Sequence, residues 1–222
     1  MEDGAERFED LTLDAFISKL ATAAPVPGGG SAAAVAGSIA AGLVAMVAAL
    51  TEGRERYADH APLAGHWIGA GRELAHRFLR LADDDADAYG RFAAAMKLPR
   101  ETDEDRAARK EALQAAARVA AEVPLRCLET CVEIVQGSEA LAGRSNVNAA
   151  SDLLVASLLA EAAARSAAAN VLVNLPSLGD DELVRELSAR VDDRLAEVER
   201  LAVATREAVR RGDIRAPVPD RG

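Results

Sequence analysis

Four carboxylates crowd into five positions: Asp83, Asp84, Asp85 and Asp87. A positioned carboxylate moves protons, so a run of them is the first place to look for acid–base chemistry. Helix geometry separates their roles. At 100° per residue from Asp85, Trp67, Leu74, Phe78, Leu81, Tyr89, Phe92 and Met96 all fall within about 40° of it. Asp83 and Asp87 project to the opposite side. Asp85 therefore stands in the middle of an apolar stripe while its neighbours look outward. A carboxylate on a buried face is either paired or holds its proton more tightly than usual, and the second condition suits a general acid/base. A buried aspartate that caps or pairs a neighbouring helix fits the same spacing. Asp83 is the alternative acid/base, because a run of acids leaves the register open.

The second chemical stretch is Pro25-Val26-Pro27-Gly28-Gly29-Gly30-Ser31. Three glycines let the backbone approach another group closely. The N–H groups that open the following helix favour an anion or a carbonyl. A nucleotide loop is disfavoured: no strand precedes the glycines, and neither G-x-G-x-x-G nor G-K-[ST] is present. Further on, Asn146 and Asp152 open a later helix, whose projection places Asn148, Asp152, Leu159, Ala163, Asn170 and Asn174 on one side. Inward polar groups need partners, so Asn170 and Asn174 are expected to bond between helices. Asp152 and Asn170 lie eighteen residues apart, roughly 27 Å along a helix, too far to share one small site within a subunit. His60, His66 and His76 lack metal-ligand spacing and are expected near the surface.

The elements that must position these residues all read as helices. Leu13, Phe16, Ile17 and Leu20 mark a first helix, with Thr12 as N-cap. The uncharged stretch from Ala32 to Leu50 marks a central one. Small residues recur along it every four positions, as Gly29, Ala33, Gly37, Ala41, Ala45 and as Gly30, Ala34, Ser38, Gly42. Such stripes predict a helix packed closely on most sides. A long helix spans about 63–98. The next starts after Thr102 or Asp103, kinks at Pro124 and reaches Val135 or beyond. Another ends near Asn174, and the last spans about 180–211. Residues 1–10 and 212–222 are expected to be loose, and the chain reads as a single domain.

Composition narrows the function classes. The 222 residues carry a formal charge of −10, which argues against nucleic acid or an anionic membrane as general partner. Half the residues are apolar but only 3% are aromatic, so the core must come from close helix contacts. Cys127 and Cys131 lie four apart on one helix and are expected to pack as free thiols, which fits a reducing, cytoplasmic setting. The first residues are acidic and include no hydrophobic run, so no signal peptide is expected. The central helix is long enough to span a membrane, an alternative that its Ala, Gly and Ser content disfavours.

The pattern P-x-P-G-G-G-S-x-A-A at Pro25–Ala34, with Leu50-Thr51-x-Gly53-Arg54 after it, resembles the formiminotetrahydrofolate cyclodeaminase/methenyltetrahydrofolate cyclohydrolase family, in its stand-alone bacterial form. The likeness covers about Leu13 to Leu201. It includes the acidic segment Leu81–Tyr89, Met96-Lys97-Leu98-Pro99, Asn146…Ser151-Asp152 and Asn170–Leu175. The resemblance implies an all-α fold of five to six long helices, a homodimer, and a folate substrate bridged at N5 and N10. No metal or redox cofactor is implied. The carboxylate held to be catalytic in the family matches Asp85. Pro27, Gly28, Gly29, Gly30 and Ser31 are then candidates to bind the pterin carbonyl or a substrate carboxylate. Lys97, Arg54 and Arg144 are candidates for the glutamate tail, and Asn146 and Asp152 could complete the site from another helix or subunit. Cyclodeamination and cyclohydrolysis both remain open. The opposing reading is a non-catalytic helical module, for assembly or at a membrane, whose buried polar residues only fix helix register.

Overall fold

The computed structural model describes residues 7–218. Among them are six α-helices and no strand: α1 (Leu13–Leu20), α2 (Gly29–Ala49), α3 (Ala61–Met96), α4 (Asp103–Leu141), α5 (Ala150–Asn174) and α6 (Asp181–Arg211). Their starts follow local chemistry. The Thr12 hydroxyl accepts from the Ala15 N–H at 3.1 Å. Thr102 and Asp105 form a reciprocal capping box, and Asp180 accepts from the Glu182 and Leu183 N–H groups. α6 ends on Gly212 at φ +72°, where a residue without Cβ is favoured.

The helix α2 packs against α3, α5 and α4, while α6 covers α4 and α5. Its small residues set the spacing. A Cβ on Gly37 would lie 2.5 Å from the Phe78 ring, and one on Gly71 would lie 2.9 Å from the Ala45 nitrogen. α2 and α3 thus meet almost backbone to backbone. Ser38 donates to the Ala75 carbonyl across the same seam at 3.0 Å. α5 runs antiparallel to α2. Asn170, near its end, lies beside Gly29, and Asn146, before its start, donates to the Leu50 carbonyl.

Several expectations change. α2 is packed on most sides, as expected, but one stripe stays open: Ile39 is 50% exposed, Met46 and Gly42 are also open, and α5 leaves Val155, Leu158 and Val173 outward. α4 continues through Pro124 as one helix to Leu141. The proline frees the Ala120 carbonyl four residues back, and Asn174 of α5 donates to it at 2.9 Å. The expected helix-to-helix bond of Asn174 is therefore present, whereas Asn170 donates within its own helix to Ser166. His60 is buried, not superficial, and burial beside the Arg144 charge lowers its pKa. Residues flanking the helices are docked rather than loose. The Phe8 N–H donates to Asp83 at 2.7 Å, and Arg215 pairs with Glu139 and donates to the Glu139 and Ala142 carbonyls. Residues 1–6 and 219–222 lie outside the described residues.

Candidate active site

α2 begins level with Asp85, because a Cβ on Gly30 would sit 2.1 Å from Asp85 Oδ1. Beyond that level α3 runs on without α2 beside it. The apolar stripe therefore divides at Asp85. Trp67, Leu74, Phe78 and Leu81 are core, whereas Tyr89 and Met96 are exposed. The space left by the missing helix is a cavity of about 320 Å³. Gly28, Gly29 and Gly30 form one wall, Asp85, Tyr89 and Phe92 of α3 another, and Asn170, Val173 and Asn174 of α5 a third.

Each acid of the run has a distinct environment. Asp83 accepts from the Phe8 N–H and lies 3.5 Å from Arg7, so it anchors the N-terminal segment. Asp84 pairs with Arg126 at 3.1 Å. Asp87 is exposed. Asp85 is the one that enters the cavity beside the glycines. Burial raises its pKa above the ordinary carboxylate value, and side-chain and backbone hydrogen bonds from Ser31 draw it part of the way back.

The fully buried Ser31 hydroxyl lies 3.0 Å from Asp85 Oδ2 and 3.1 Å from the Ala82 carbonyl. It has one proton for two acceptors. With Asp85 ionised, the hydroxyl can donate to the carboxylate. With Asp85 protonated, the acid can donate to Ser31 Oγ while Ser31 donates to Ala82. Both protonation states are thus satisfied without moving the backbone, as a group that alternates between base and acid requires. The glycines make this contact possible, since a side chain at position 30 would occupy the place of the carboxylate.

The remaining sequence candidates separate into groups. Pro27 is buried and walls a neighbouring recess of about 590 Å³ instead. That larger recess holds Arg7, Lys19, Arg80 and Asp83 but not Asp85. Lys97 is exposed at the end of α3, about 18 Å along the helix axis from Asp85. Arg54, Arg144, Asn146 and Asp152 gather at the other end of the molecule, roughly 30 Å away along α2. There the Asn146 N–H donates to Thr51 Oγ1 at 2.9 Å, and Arg144 donates to the Ala140 and Ala216 carbonyls. Within one chain this second group does not meet Asp85. Conversely, Tyr89 and Phe92 read from the sequence as core and Asn170 as a helix-packing residue, yet all three line the cavity. Their shared signal is position: Tyr89 and Phe92 stand four and seven residues after Asp85 on its own face.

Comparison with known proteins adds an independent line. Residues 12–193 match the family model described as formiminotransferase-cyclodeaminase. The chain is 38% identical over 186 residues to methenyltetrahydrofolate cyclohydrolase of Methylorubrum extorquens, covering 84% of this chain and 89% of that one. It is 33% identical over 188 residues to formimidoyltransferase-cyclodeaminase of Rattus norvegicus, covering 85% of this chain but 35% of that longer protein. The crystal structure of formiminotetrahydrofolate cyclodeaminase from Thermotoga maritima superposes with a TM-score of 0.83 at 28% identity, over 91% of this chain and 97% of that one.

Proposed function

The chain belongs to the formiminotransferase-cyclodeaminase family, and we propose that it is an enzyme acting on the one-carbon bridge between N5 and N10 of tetrahydrofolate. The observation that supports this most is Asp85, a half-buried carboxylate of raised pKa held against a glycine-lined cavity by Ser31. In cyclohydrolysis, water attacks the carbon of the 5,10-methenyl cation. Asp85 takes one proton from that water and returns it to N5 as the carbon–N5 bond breaks, while the remaining hydroxyl proton passes to solvent as the formyl carbonyl forms, leaving 10-formyltetrahydrofolate. In cyclodeamination, N10 attacks the carbon of the protonated formimino group (N5–CH=NH2+) carried on N5. Asp85 takes the N10 proton and delivers it to the departing nitrogen, which leaves as ammonia. Both routes pass through a tetrahedral carbon, so one carboxylate can serve either. The cationic substrate lowers the pKa of Asp85 on binding, which suits its role as base at the start of the reaction. Neither route calls for a metal or redox cofactor.

The open stripes of α2 and α5 suit a second copy of this chain. Val35, Ile39, Gly42 and Met46 follow four–three spacing on α2, as do Val155, Leu158 and Ala162 on α5. Such a seam supports a homodimer. The free buried cysteines suit a cytoplasmic setting. A membrane-associated module is the competing reading, because Gly29–Ala49 and Val147–Ser177 are both long and apolar enough to cross a bilayer. In α2 half of the apolar window is buried inside the fold, which favours the first reading. Two assays decide. Loss of 5,10-methenyltetrahydrofolate absorbance, or its gain from 5-formiminotetrahydrofolate, identifies the reaction. Recovery of the protein in the membrane fraction with neither activity would establish the competing reading.

A further inference from the structure

We propose that a cationic trough next to the Asp85 cavity, lined by Arg100, Arg109 and Lys110, binds the carboxylates of the glutamyl tail of the substrate. The proposal rests on the folate reading above. Phe92 walls two cavities, the one that holds Asp85 and a second of about 440 Å³. The second is lined by Arg100, Arg106, Arg109 and Lys110, and by no carboxylate. Of the acids of the same turn, Glu104 is exposed and does not line the recess, and the other three are engaged elsewhere. Glu101 accepts from the Arg100 N–H, Asp105 from the Thr102 N–H, and Asp103 pairs with Arg106. No carboxylate pairs with Arg100, Arg109 or Lys110 among the described residues. In a chain of charge −10, positive side chains facing one recess without counter-ions mark an anion site. Arg109 adds a direct sign: it donates through Nη2 to the Met96 carbonyl, and its buried Nε has no partner.

The geometry follows the substrate. Asp85, Phe92 and Met96 share one face of α3, and eleven residues advance about 16 Å. With the N5–N10 bridge at Asp85, the flat aminobenzoyl ring lies against Phe92. The amide-linked glutamates then extend past Met96 into the trough. This places the tail away from Arg54 and Arg144, and beside the turn that bears Lys97.

The test uses p-aminobenzoyl-triglutamate, which has the tail but no pterin, and the double variant Arg100→Gln/Lys110→Gln. Neither side chain makes a hydrogen bond or ion pair to the described residues, so the variant is expected to melt with the wild type. Calorimetry should show at least about tenfold weaker binding to the variant, and binding to the wild type that weakens with salt. KM for triglutamyl methenyltetrahydrofolate should rise in step while kcat holds, and the wild-type preference for the triglutamyl over the monoglutamyl substrate should disappear. Arg109→Gln should act in the same direction. Equal fragment binding by wild type and variants, or none by the wild type, overturns the proposal whatever turnover shows. Turnover with KM values indifferent to tail length and to these substitutions overturns the trough and leaves the folate reading standing. No turnover, but fragment binding lost in the variants, sinks the catalytic reading and leaves the trough.

Discussion

At the scale of residues, the proposed function turns on how tightly Asp85 holds its proton. Burial raises its pKa and Ser31 lowers it. Replacing Ser31 with alanine removes the opposing influence, so the pKa rises further. A reaction that begins with ionised Asp85 then needs a higher pH. The ascending limb of the kcat/KM profile is therefore expected to move to higher pH in Ser31→Ala, while activity on the plateau falls less than in a variant lacking the carboxylate. An unmoved limb would mean that Ser31 acts only in packing. The position of Asp85 on an apolar stripe is legible in the sequence, because helical periodicity is local. Its partner is not, because Ser31 lies 54 positions away and the contact depends on where α2 starts.

At the scale of elements, the site is held by a repair to a helix. Pro124 cannot donate to Ala120, and Asn174 supplies that hydrogen bond from α5 while also donating to Asn170 at 2.8 Å. Ala120 and Asn174 both line the cavity, so the repair sets the distance between α4 and α5 there. Asn174→Ala leaves a part-buried carbonyl without a partner and is expected to cost about 1–3 kcal/mol. Pro124→Ala restores an N–H that can reach the same carbonyl. Denaturant unfolding of both single variants and the double is expected to show that the Asn174 substitution costs less when position 124 is alanine. Additive costs would contradict the account. The sequence announces a helix interrupted by proline, which suggests a kink. Only the tertiary partner shows why the helix continues. The same limit applies to the stripe of α3, where periodicity marks a face but not the point at which its covering helix ends.

At the scale of the whole molecule, helix count and order follow from caps, glycines and apolar spacing, and the all-α class was readable from end to end. The open stripe of α2 was not, because small residues at four-residue spacing look alike against a helix of the same chain or of another. The open stripes on α2 and α5 suit a second copy of the chain. Ile39→Asp puts a charge in the middle of that seam, and light scattering is expected to give the mass of a dimer for the wild type and of a monomer for the variant. Equal masses would remove the dimer. The central claim is that Asp85 moves the proton in the folate reaction. It is tested most directly by following 5,10-methenyltetrahydrofolate absorbance, and its appearance from 5-formiminotetrahydrofolate, with wild type and Asp85→Asn side by side. The account expects wild-type turnover in at least one direction and a loss of about 10²–10⁴-fold in a folded Asp85→Asn protein. Wild-type turnover that survives in Asp85→Asn would contradict it.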